Sequence, residues 1–538
     1  MPALAILCTV LLTCGTLVSH AAETGKSAAR YSSRIHPDSG GHLVCEPDSV
    51  GNRLLDYSFA GYGGGGVRLP RAKVRAVVKP GDGNDADRIQ RAVDMVSAMQ
   101  PNERGIRGAV LVKRGRYELL KPVHITRGGV VLRGEGNGAD GTVLVGMGDF
   151  KGMAYNDVRS TNLIEIAGSS GARDIAGTSV RIVDDYVPLG VRSFRVASGA
   201  GFKPGDPVIV RRYGNAAWYQ SLKLDMKAFT EDIRHDSERT VVAVEGDRVT
   251  VDIPLPVAID TRWGGGELVK YEDSGRIAQC GVENLRGESD FDRSISTNKF
   301  GNMDRPDYTG MEYYSDEHHY WNFIAMKNVR DGWVRDIASV HFAKSAVDVG
   351  GGSKRVTVRD CESFEPVSVC AGGRRFTFQV SGQLCLVMRC RSDQGRHSFV
   401  LGGVATCGPN VFLECTAIRP YGSSEPHSSL VVGSLYDNVK APLAFRYALS
   451  VPPRWMSFNS LMWNCEGMFI VQKTPAAQNY SIGHTGLNAM IYNRALIDYT
   501  WPEGYIESLD EPVSPRSLYL RQLEERLGKA AVRDMLEK

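Results

Sequence analysis

The chain has 538 residues, of which 42% are hydrophobic and 23% are charged, and its formal net charge is +3. This length is sufficient to bury a large core. The near-neutral charge and the lack of a basic tract argue against nucleic acid as a partner and against a polybasic membrane-binding segment.

The N-terminal segment Leu4–Val18 is apolar and is followed by small residues up to Ala22. It is too short to span a bilayer, so residues 1–22 are interpreted as a secretory signal peptide. No later segment is apolar enough to cross a membrane. We therefore expect a protein exported to the periplasm or the outside of the cell. Removal of the signal peptide leaves nine of the eleven cysteines.

Residues 23–60 are polar and form an irregular N-terminal segment. A glycine cluster follows, and Asp85–Met99 then carries apolar residues at helical spacing after an acidic first turn, which predicts an amphipathic helix. Short apolar runs separated by glycines come next and predict strands. Residues 61–184 are therefore expected to contain this helix and the first strands of the fold.

Residues 185–272 have a different pattern. The segments Gly205–Val210 and Thr240–Pro254 alternate between apolar and polar residues, which predicts antiparallel hairpins in a small β insertion. At the other end of the chain, Ser517–Leu527 predicts an amphipathic helix within a C-terminal segment, residues 506–538. This helix is expected to cover the C-terminal end of the fold.

Residues 273–505 contain a repeat marked by four cysteines. Their spacings are 29, 25 and 50 residues, the last being two repeats of 25, in the order Cys361, Cys390, Cys415 and Cys465. A period of this length, with glycine-rich corners instead of amphipathic helices, predicts a parallel β-helix. An apolar column lies three positions before the cysteines, and this offset predicts a corner between two short strands. The four cysteines are expected to pack inside the coil as free thiols.

The N-terminal strands also resemble a known family, the pectate-lyase-like superfamily of right-handed parallel β-helices. The motifs that carry the resemblance are Gly81–Asp85, Ile89–Gln90, Gly108–Val112, Gly115–Tyr117, Val131–Gly136 and Gly141–Leu144. The resemblance covers residues 55–150 strongly and 275–500 as repeats. It implies an all-β solenoid whose N-terminal end is capped by the helix, and a bacterial exported protein that acts on a polysaccharide. It does not define the sugar.

Alignment of the repeats on the cysteines brings basic residues into one line. The predicted ladder is Lys344, Arg375, His397 and His427, with Arg374 and Arg396 beside it. Neighbouring rungs lie about 4.8 Å apart, so adjacent side chains could contact one ligand. Such a line indicates an anionic ligand or, alternatively, a solvated surface stripe. Imidazoles among guanidinium groups have lowered pKa values and can act as bases near neutral pH.

An acidic polysaccharide supplies such an anion, and its β-elimination needs a cation for the carboxylate, a base for the C5 proton and an acid for the leaving oxygen. The arginines suit the first role, His397 or His427 the second, and Tyr436 or the other histidine the third. The predicted catalytic residues are His397, His427, Arg396 and Tyr436, and the predicted substrate-binding residues are Lys344, Arg374, Arg375, Asp393 and His319. No tight acidic cluster indicates a calcium site, so a requirement for Ca²⁺ stays open, as does the oligomeric state.

Two alternatives to a polysaccharide lyase remain. A glycoside hydrolase of the same fold needs paired carboxylates, for which Asp393, Glu365 and Glu425 are candidates. However, Gly395–His397 departs from the Gly-His-Gly element of such hydrolases, and no Asp-Asp pair stands beside it. The second alternative is a non-catalytic β-helix that binds glycans through arginine and aromatic side chains.

Overall fold

Three parallel sheets wind into a right-handed β-helix in a computed structural model that describes residues 29–537, except 82–83, 149, 229–232, 301–309, 428–429, 450–453 and 489–496. The predicted signal peptide, residues 1–22, lies outside the described residues. The fold predicted from the sequence, a parallel β-helix with terminal helices and a β insertion, is confirmed. Within the described ranges, no helix has the length and apolarity needed to cross a membrane.

Successive turns of the coil pair in parallel on each sheet. The strands of the first sheet are Val74–Val78, Gly108–Val112, Val130–Arg133, Thr357–Arg359, Leu386–Met388, Cys407–Leu413, Val431–Asp437, Ser457–Phe458, Leu461–Trp463, Tyr480–Ile482 and Tyr505–Glu507. The strands of the second sheet are Gly115–Leu119, Thr142–Gly146, Glu362–Phe364, Arg391–Asp393 and Thr416–Ile418. Two longer strands, Gly281–Ser289 and Trp333–Val340, run through both sheets.

The third sheet carries the residues of the predicted ladder. Its strands are Val123–Ile125, Asn162–Ala167, Asn322–Lys327, Ser345–Val349, Phe376–Val380 and His397–Leu401. Single bridges at Pro426 and Ser424 extend it toward the paired strands Leu443–Phe445 and Phe469–Val471. The side chains that point inward from the three sheets form one continuous core.

The corner predicted from the three-residue offset between the apolar column and the cysteines is present, between the first and second sheets. A residue with left-handed backbone lies directly before each of the four cysteines and before Ile337, which occupies the same position one turn earlier. Their φ angles lie between 49° and 54°, at Asp336, Asp360, Arg389, Glu414 and Asn464. Asp and Asn tolerate this conformation better than most residues, so the corner agrees with the local sequence at most of its rungs.

The N-terminal cap is the helix Asp85–Ser97, which begins after Asn84, whose side chain accepts a hydrogen bond from the Ala86 amide. Its buried residues Ile89, Val93 and Val96 belong to the core of the coil. Exposure of this core to water at the first rung would be unfavourable, and the helix prevents it.

The C-terminal helices do not cover the C-terminal end of the coil, where the sequence predicted them. Leu518–Leu527 and Lys529–Leu536 lie against the outer face of the first sheet, together with the N-terminal segment around Leu54–Tyr57. The sheet residues beneath them, such as Leu413 and Leu461, are apolar on their outward side. The prediction that the helix covers the C-terminal end is therefore wrong in this respect, because the larger unpartnered apolar surface is the side of the coil.

The β insertion is an antiparallel sheet beside the coil. In spatial order its strands are Arg173–Asp174, Gly266–Glu272, Pro207–Tyr213, Arg234–Glu245, Arg248–Val251 and Ser193–Arg195, and Val180–Arg181 also pairs with Gly266–Glu272. Two further strands, Tyr186–Val187 and Ile259–Asp260, pair with each other.

Short pairs and helices complete the structure. The remaining strands are Ile35–Pro37, Leu43–Cys45, Ile277–Ala278, Val329–Arg330, Ser296–Thr297, Tyr313–Tyr314, Tyr447–Ala448 and Arg454–Trp455. The short helices are Tyr155–Val158 and Ala216–Ser221, with 3₁₀ turns at Tyr62–Gly64, Met226–Ala228 and Thr261–Trp263.

All nine cysteines in the described part of the chain are free, and eight of them are buried. In the stacked column, the Cys390 and Cys415 thiols each donate to the carbonyl two residues earlier, at 3.4 Å. Burial raises the pKa of the Cys385 and Cys407 thiols to about 12. They therefore serve as packed apolar groups.

We predict that iodoacetamide labels Cys45 slowly in the native protein and the other eight described cysteines more slowly still. Cys45 is the only partly exposed thiol of the nine, but burial raises its pKa to about 12 as well. After unfolding in denaturant, peptide mapping should find all nine labelled. A disulfide-linked peptide in a non-reducing digest would contradict this prediction.

Candidate functional site

The pairing of the third sheet decides which residues of the predicted ladder meet. Val347 pairs with Phe378, which sets Lys344 level with Arg375 as expected. At the next rung, however, Phe376 and not Arg375 pairs with His397. The predicted ladder is therefore wrong by one residue at this step. A shift of one residue changes the side of the strand on which a side chain lies, so Arg375 and His397 have different environments.

The next step of the predicted ladder, from His397 to His427, is also out of register, because Leu401 pairs with Pro426. The two histidines nevertheless come together on the outer side of the third sheet. Their rings stack with centroids 4.2 Å apart and planes 29° apart. The Phe376 ring contacts both edge-on, at 5.1 Å from His397 and 4.9 Å from His427. The two imidazoles thus form one unit on an aromatic support.

A buried carboxylate holds this unit in place. Glu425 is 0% exposed, and Arg446 donates two hydrogen bonds of 3.1 Å to its two oxygens. The Ser423 hydroxyl donates to Oε2 at 2.7 Å, and His427 Nδ1 lies 2.8 Å from Oε1. Burial opposes ionisation, but the charge of Arg446 and the hydrogen bond from His427 outweigh it and hold the pKa of Glu425 well below its usual range.

The ionised Glu425 fixes the proton on His427. A carboxylate only accepts hydrogen bonds, so Nδ1 must donate and the lone pair lies on Nε2. Burial lowers the pKa of His427 despite the opposing effect of Glu425, and the imidazole is neutral at pH 7. Its side chain is 20% exposed, and Nε2 has no hydrogen-bond partner in the described structure. His427 is therefore an oriented and partly exposed base.

His397 is the buried member of the pair. Its Nδ1 donates to the Ser423 carbonyl, and its Nε2 is buried without a partner among the described residues. Burial and the nearby Arg396 hold the pKa of His397 well below its usual range. It is therefore a neutral ring that supports His427 and cannot act as a general acid near neutral pH.

Arg396 supplies positive charge beside the histidines. Its guanidinium carbon lies 5.9 Å from the Phe376 ring centre, and Nη1 donates to the Gly372 carbonyl. Nε is buried and unpartnered, and no carboxylate of the described residues forms an ion pair with Arg396. Burial lowers its pKa to about 10, so the group is still charged at pH 7. A half-buried cation without a counter-ion favours the binding of an anion.

Tyr436 does not belong to this site. Its side chain is in the core of the coil, and its hydroxyl donates to the Phe399 carbonyl at 3.1 Å. Burial raises its pKa well above the usual range. The structure therefore excludes the predicted acid role of Tyr436, because no polymer on the surface can reach it.

Arg375 and Arg374 are engaged elsewhere. Arg375 is 1% exposed, lies between the rings of Tyr313 and Tyr421, and donates to the Ser368 carbonyl. Arg374 forms two hydrogen bonds with Glu317, at 2.7 and 2.8 Å. Neither guanidinium lies with the histidine pair, so the prediction that they bind the substrate carboxylate there does not fit the structure.

The remaining predicted residues also have protein partners. Lys344 pairs with Asp348 at 2.8 Å, and Asp393 pairs with Arg419. His319 is buried, with Nδ1 2.8 Å from the Ser289 hydroxyl and Nε2 2.9 Å from the Val367 carbonyl. His319 therefore stabilises the core under a loop and does not line a groove. Of the predicted site residues, the structure brings together His397, His427 and Arg396.

Sequence reasoning missed Arg446 and gave Glu425 only as a candidate acid for hydrolysis. Arg446 follows Glu425 by 21 residues, close to one repeat of the coil. The Ser423–His427 segment has few strand bonds, and its sequence gave no sign that the carboxylate would point back to the histidines. A search for oppositely charged residues one repeat apart would have found the pair.

The same cluster is the one grouping in the described residues with donor atoms close enough for a metal, since those of His397, Glu425 and His427 all lie within 4.8 Å of one another. Both oxygens of Glu425 already accept hydrogen bonds from Arg446, Ser423 and His427. A divalent cation would have to displace these donors beside two guanidinium groups. The electrostatics favour an anion instead.

No family model matches the chain, and no curated protein matches it either. Among solved structures, it is similar to ORF18 of Geobacillus virus E2, with 10% identity and a TM-score of 0.36 over 81% of this chain and 59% of that one. The chain thus spans less than two thirds of the length of that viral protein.

Two further similar structures have comparable values. The Gp54 tailspike of Acinetobacter baumannii bacteriophage AP22, in complex with capsular saccharide, has 11% identity and a TM-score of 0.27 over 79% of this chain and 73% of its own. A DFA-IIIase variant from Arthrobacter chlorophenolicus A6, in complex with DFA-III, has 10% identity and a TM-score of 0.36 over 76% of each chain.

We predict that Glu425→Ala lowers the free energy of unfolding by about 3–5 kcal/mol, because it removes the carboxylate that balances the buried Arg446. Denaturant unfolding measures the change, and the double variant Glu425→Gln/Arg446→Met should recover much of the loss. Asp393→Asn, in an ion pair whose arginine is exposed, is the matched control and should change stability by less than about 1 kcal/mol. Equal effects of Glu425→Ala and Asp393→Asn would contradict the network.

We also predict that acid destabilises the protein below pH 6.5. The folded pKa values of His397 and His427 lie below the ordinary value of 6.5, so the unfolded chain binds more protons as the pH falls. Their contribution is fully present above pH 6.5 and is lost below it. The melting temperature should fall between pH 7.5 and 5, with a smaller fall in His397→Asn. An identical pH dependence in the two proteins would contradict the assignment.

Proposed function

We propose that the protein is an exported polysaccharide lyase that cleaves an acidic, uronate-containing polysaccharide by β-elimination at the His427–Glu425 site. The observation that carries the proposal is the combination of the Arg396 guanidinium, which forms no ion pair with a described carboxylate, and the neutral, oriented imidazole of His427. Export is supported by the apolar N-terminal segment Leu4–Val18. The likeness of residues 55–150 to the pectate-lyase-like superfamily supports action on a polysaccharide.

Arg396 suits the carboxylate of the sugar. β-Elimination begins with removal of the proton on C5, which is next to the carboxylate, and negative charge then develops on that group. A guanidinium binds a carboxylate through two parallel hydrogen bonds and stabilises this charge. Because no described carboxylate pairs with Arg396, the substrate does not have to displace an internal ion pair.

His427 suits the base. Its Nε2 takes the C5 proton, the C5–H electron pair forms the C4–C5 double bond, and the C4–O bond breaks. Glu425 stabilises the imidazolium that forms, since its carboxylate accepts from Nδ1. The imidazolium can then return the proton to the leaving oxygen. This makes a separate acid unnecessary and accounts for the absence of Tyr436 from the site.

Glycoside hydrolysis fits the same site less well. It needs two carboxyl groups, one of them protonated to act as an acid. Glu425 is the only acidic residue that the described structure groups with the two histidines, and its pKa is held well below the usual range. A carboxylate that stays ionised and bonded to Arg446 cannot donate a proton to a leaving group.

We predict that the purified protein, mixed with a panel of uronate polymers with and without calcium, produces the ultraviolet absorbance of an unsaturated sugar. His427→Ala and Arg396→Gln should each lower the rate by about 10²-fold or more, because each removes a group that acts in the transition state. Tyr436→Phe is the control and should retain most of the activity.

New reducing ends without the absorbance would indicate hydrolysis and contradict the proposal. Binding of a polymer without either signal would favour the non-catalytic β-helix. An equal loss of rate in Tyr436→Phe, with the fold intact, would show that the site has been placed wrongly.

A further inference from the structure

Two neighbouring arginines of the β insertion have opposite environments. Arg211 and Arg212 follow each other in the strand Pro207–Tyr213, so their side chains lie on opposite faces of the sheet. Arg211 forms ion pairs with Asp174, Asp236 and Glu267, at 2.8 to 2.9 Å. Arg212 has none of these partners, because they all lie on the other face.

Arg212 is a buried cation without a hydrogen-bond acceptor. It is 4% exposed, and its Nε and Nη1 have no partner in the described part of the structure. Its guanidinium stacks on the Trp218 ring, with the carbon 3.8 Å from the ring centre. Burial lowers its pKa to about 10, so it is still charged at pH 7. A buried charge of this kind is costly unless an anion binds it.

Asp260 is the carboxylate that most affects Arg212, but it does not serve as its counter-ion. Asp260 is held by Arg262, whose Nε lies 3.1 Å from both carboxylate oxygens and whose Nη2 lies 2.6 Å from Oδ2. Its charge is therefore already balanced. The Nε and Nη1 donors of Arg212 therefore have no acceptor among the described residues.

Arg212 lines a cavity of about 830 Å³ between the insertion, the N-terminal segment and the last rungs of the coil. Aromatic rings form much of its wall, namely Tyr186, Trp218, Trp263, Phe458 and Tyr480. Polar side chains such as Asn459 and Gln478 lie between them. Aromatic faces with a few polar groups are suited to a sugar ring, whose C–H face packs on the aromatic face and whose hydroxyls form hydrogen bonds.

The cavity wall contains equal numbers of acidic and basic residues. The acidic residues Asp48, Asp185 and Asp260 and the basic residues Arg212, Arg262 and Lys473 all contribute to the lining. Arg262 and Asp185 are exposed at the rim. The positive charge that is both buried and unpaired is that of Arg212, so an anionic group would be bound at the inner end.

We propose that this cavity is a second carbohydrate site, which binds the carboxylate of an acidic sugar unit on Arg212 and packs the ring of that sugar against Trp263. The choice of an acidic sugar rests on the proposed function, whereas the anion site rests on Arg212 alone.

The test is isothermal titration calorimetry with D-glucuronate and D-galacturonate, their methyl esters and acetate. Arg396→Gln is the background in which the site beside His427 is disabled. In this background a uronate should bind. Its methyl ester should bind about tenfold or more weakly, and adding Arg212→Gln should weaken the binding of the uronate by a similar factor, since a charged hydrogen bond is lost in each case. Arg212→Met retains packing on Trp218 and replaces Arg212→Gln if that variant does not fold.

Trp263→Ala tests the sugar part of the proposal. It leaves Arg212 in place and should weaken the binding of the uronate but not of acetate. Uronate binding that is unchanged in Arg212→Gln and Arg212→Met, or no uronate binding at all, would overturn the anion site. Acetate binding as strong as that of the uronate would overturn the sugar assignment. The proposed lyase can fail in its own assay while the Arg212-dependent binding persists, so the two failures are distinguishable.

Discussion

The in-register pairing of successive rungs is the constraint on which the rest of the structure depends. Each strand takes its position from the main-chain hydrogen bonds of the rung before it, so the side chains of one column lie about 4.8 Å apart. The left-handed corner residue before each cysteine-column position keeps this spacing while the chain turns between sheets. A shift of one residue would expose the inner column and bury the outer one.

This constraint also determines where a polar site can form. The interior of the coil is filled with apolar side chains and thiols, so charged groups are excluded from it. On the outer side of the third sheet, the segment that contains Glu425 folds over His397 and creates a sheltered space. There Arg446 balances Glu425, and Glu425 orients His427, while Arg396 keeps a positive charge that no described carboxylate neutralises. The site therefore forms where the segment that contains Glu425 covers part of the regular surface of the third sheet.

The sequence was sufficient for the features that depend on local pattern. The cysteine period, the offset of three and the helix after Asn84 each follow from residues close together in the chain, and the structure contains all three. The ladder of basic residues could not be predicted in the correct register. Turns of unequal length separate the strands of the third sheet, so the register of that sheet cannot be counted from the cysteines. Arg446 was missed for a related reason, since its partner lies one rung away. The position of the C-terminal helices depends on which apolar surface remains uncovered, and only the packed coil shows that.

A crystal structure of the His427→Asn variant with a bound uronate oligosaccharide would show directly whether the sugar binds beside Arg396. We predict a sugar carboxylate within hydrogen-bond distance of the Arg396 guanidinium, with C5 of the same unit facing the side chain at position 427. An oligosaccharide bound elsewhere on the coil, with the Arg396 guanidinium contacting no part of it, would contradict the central claim.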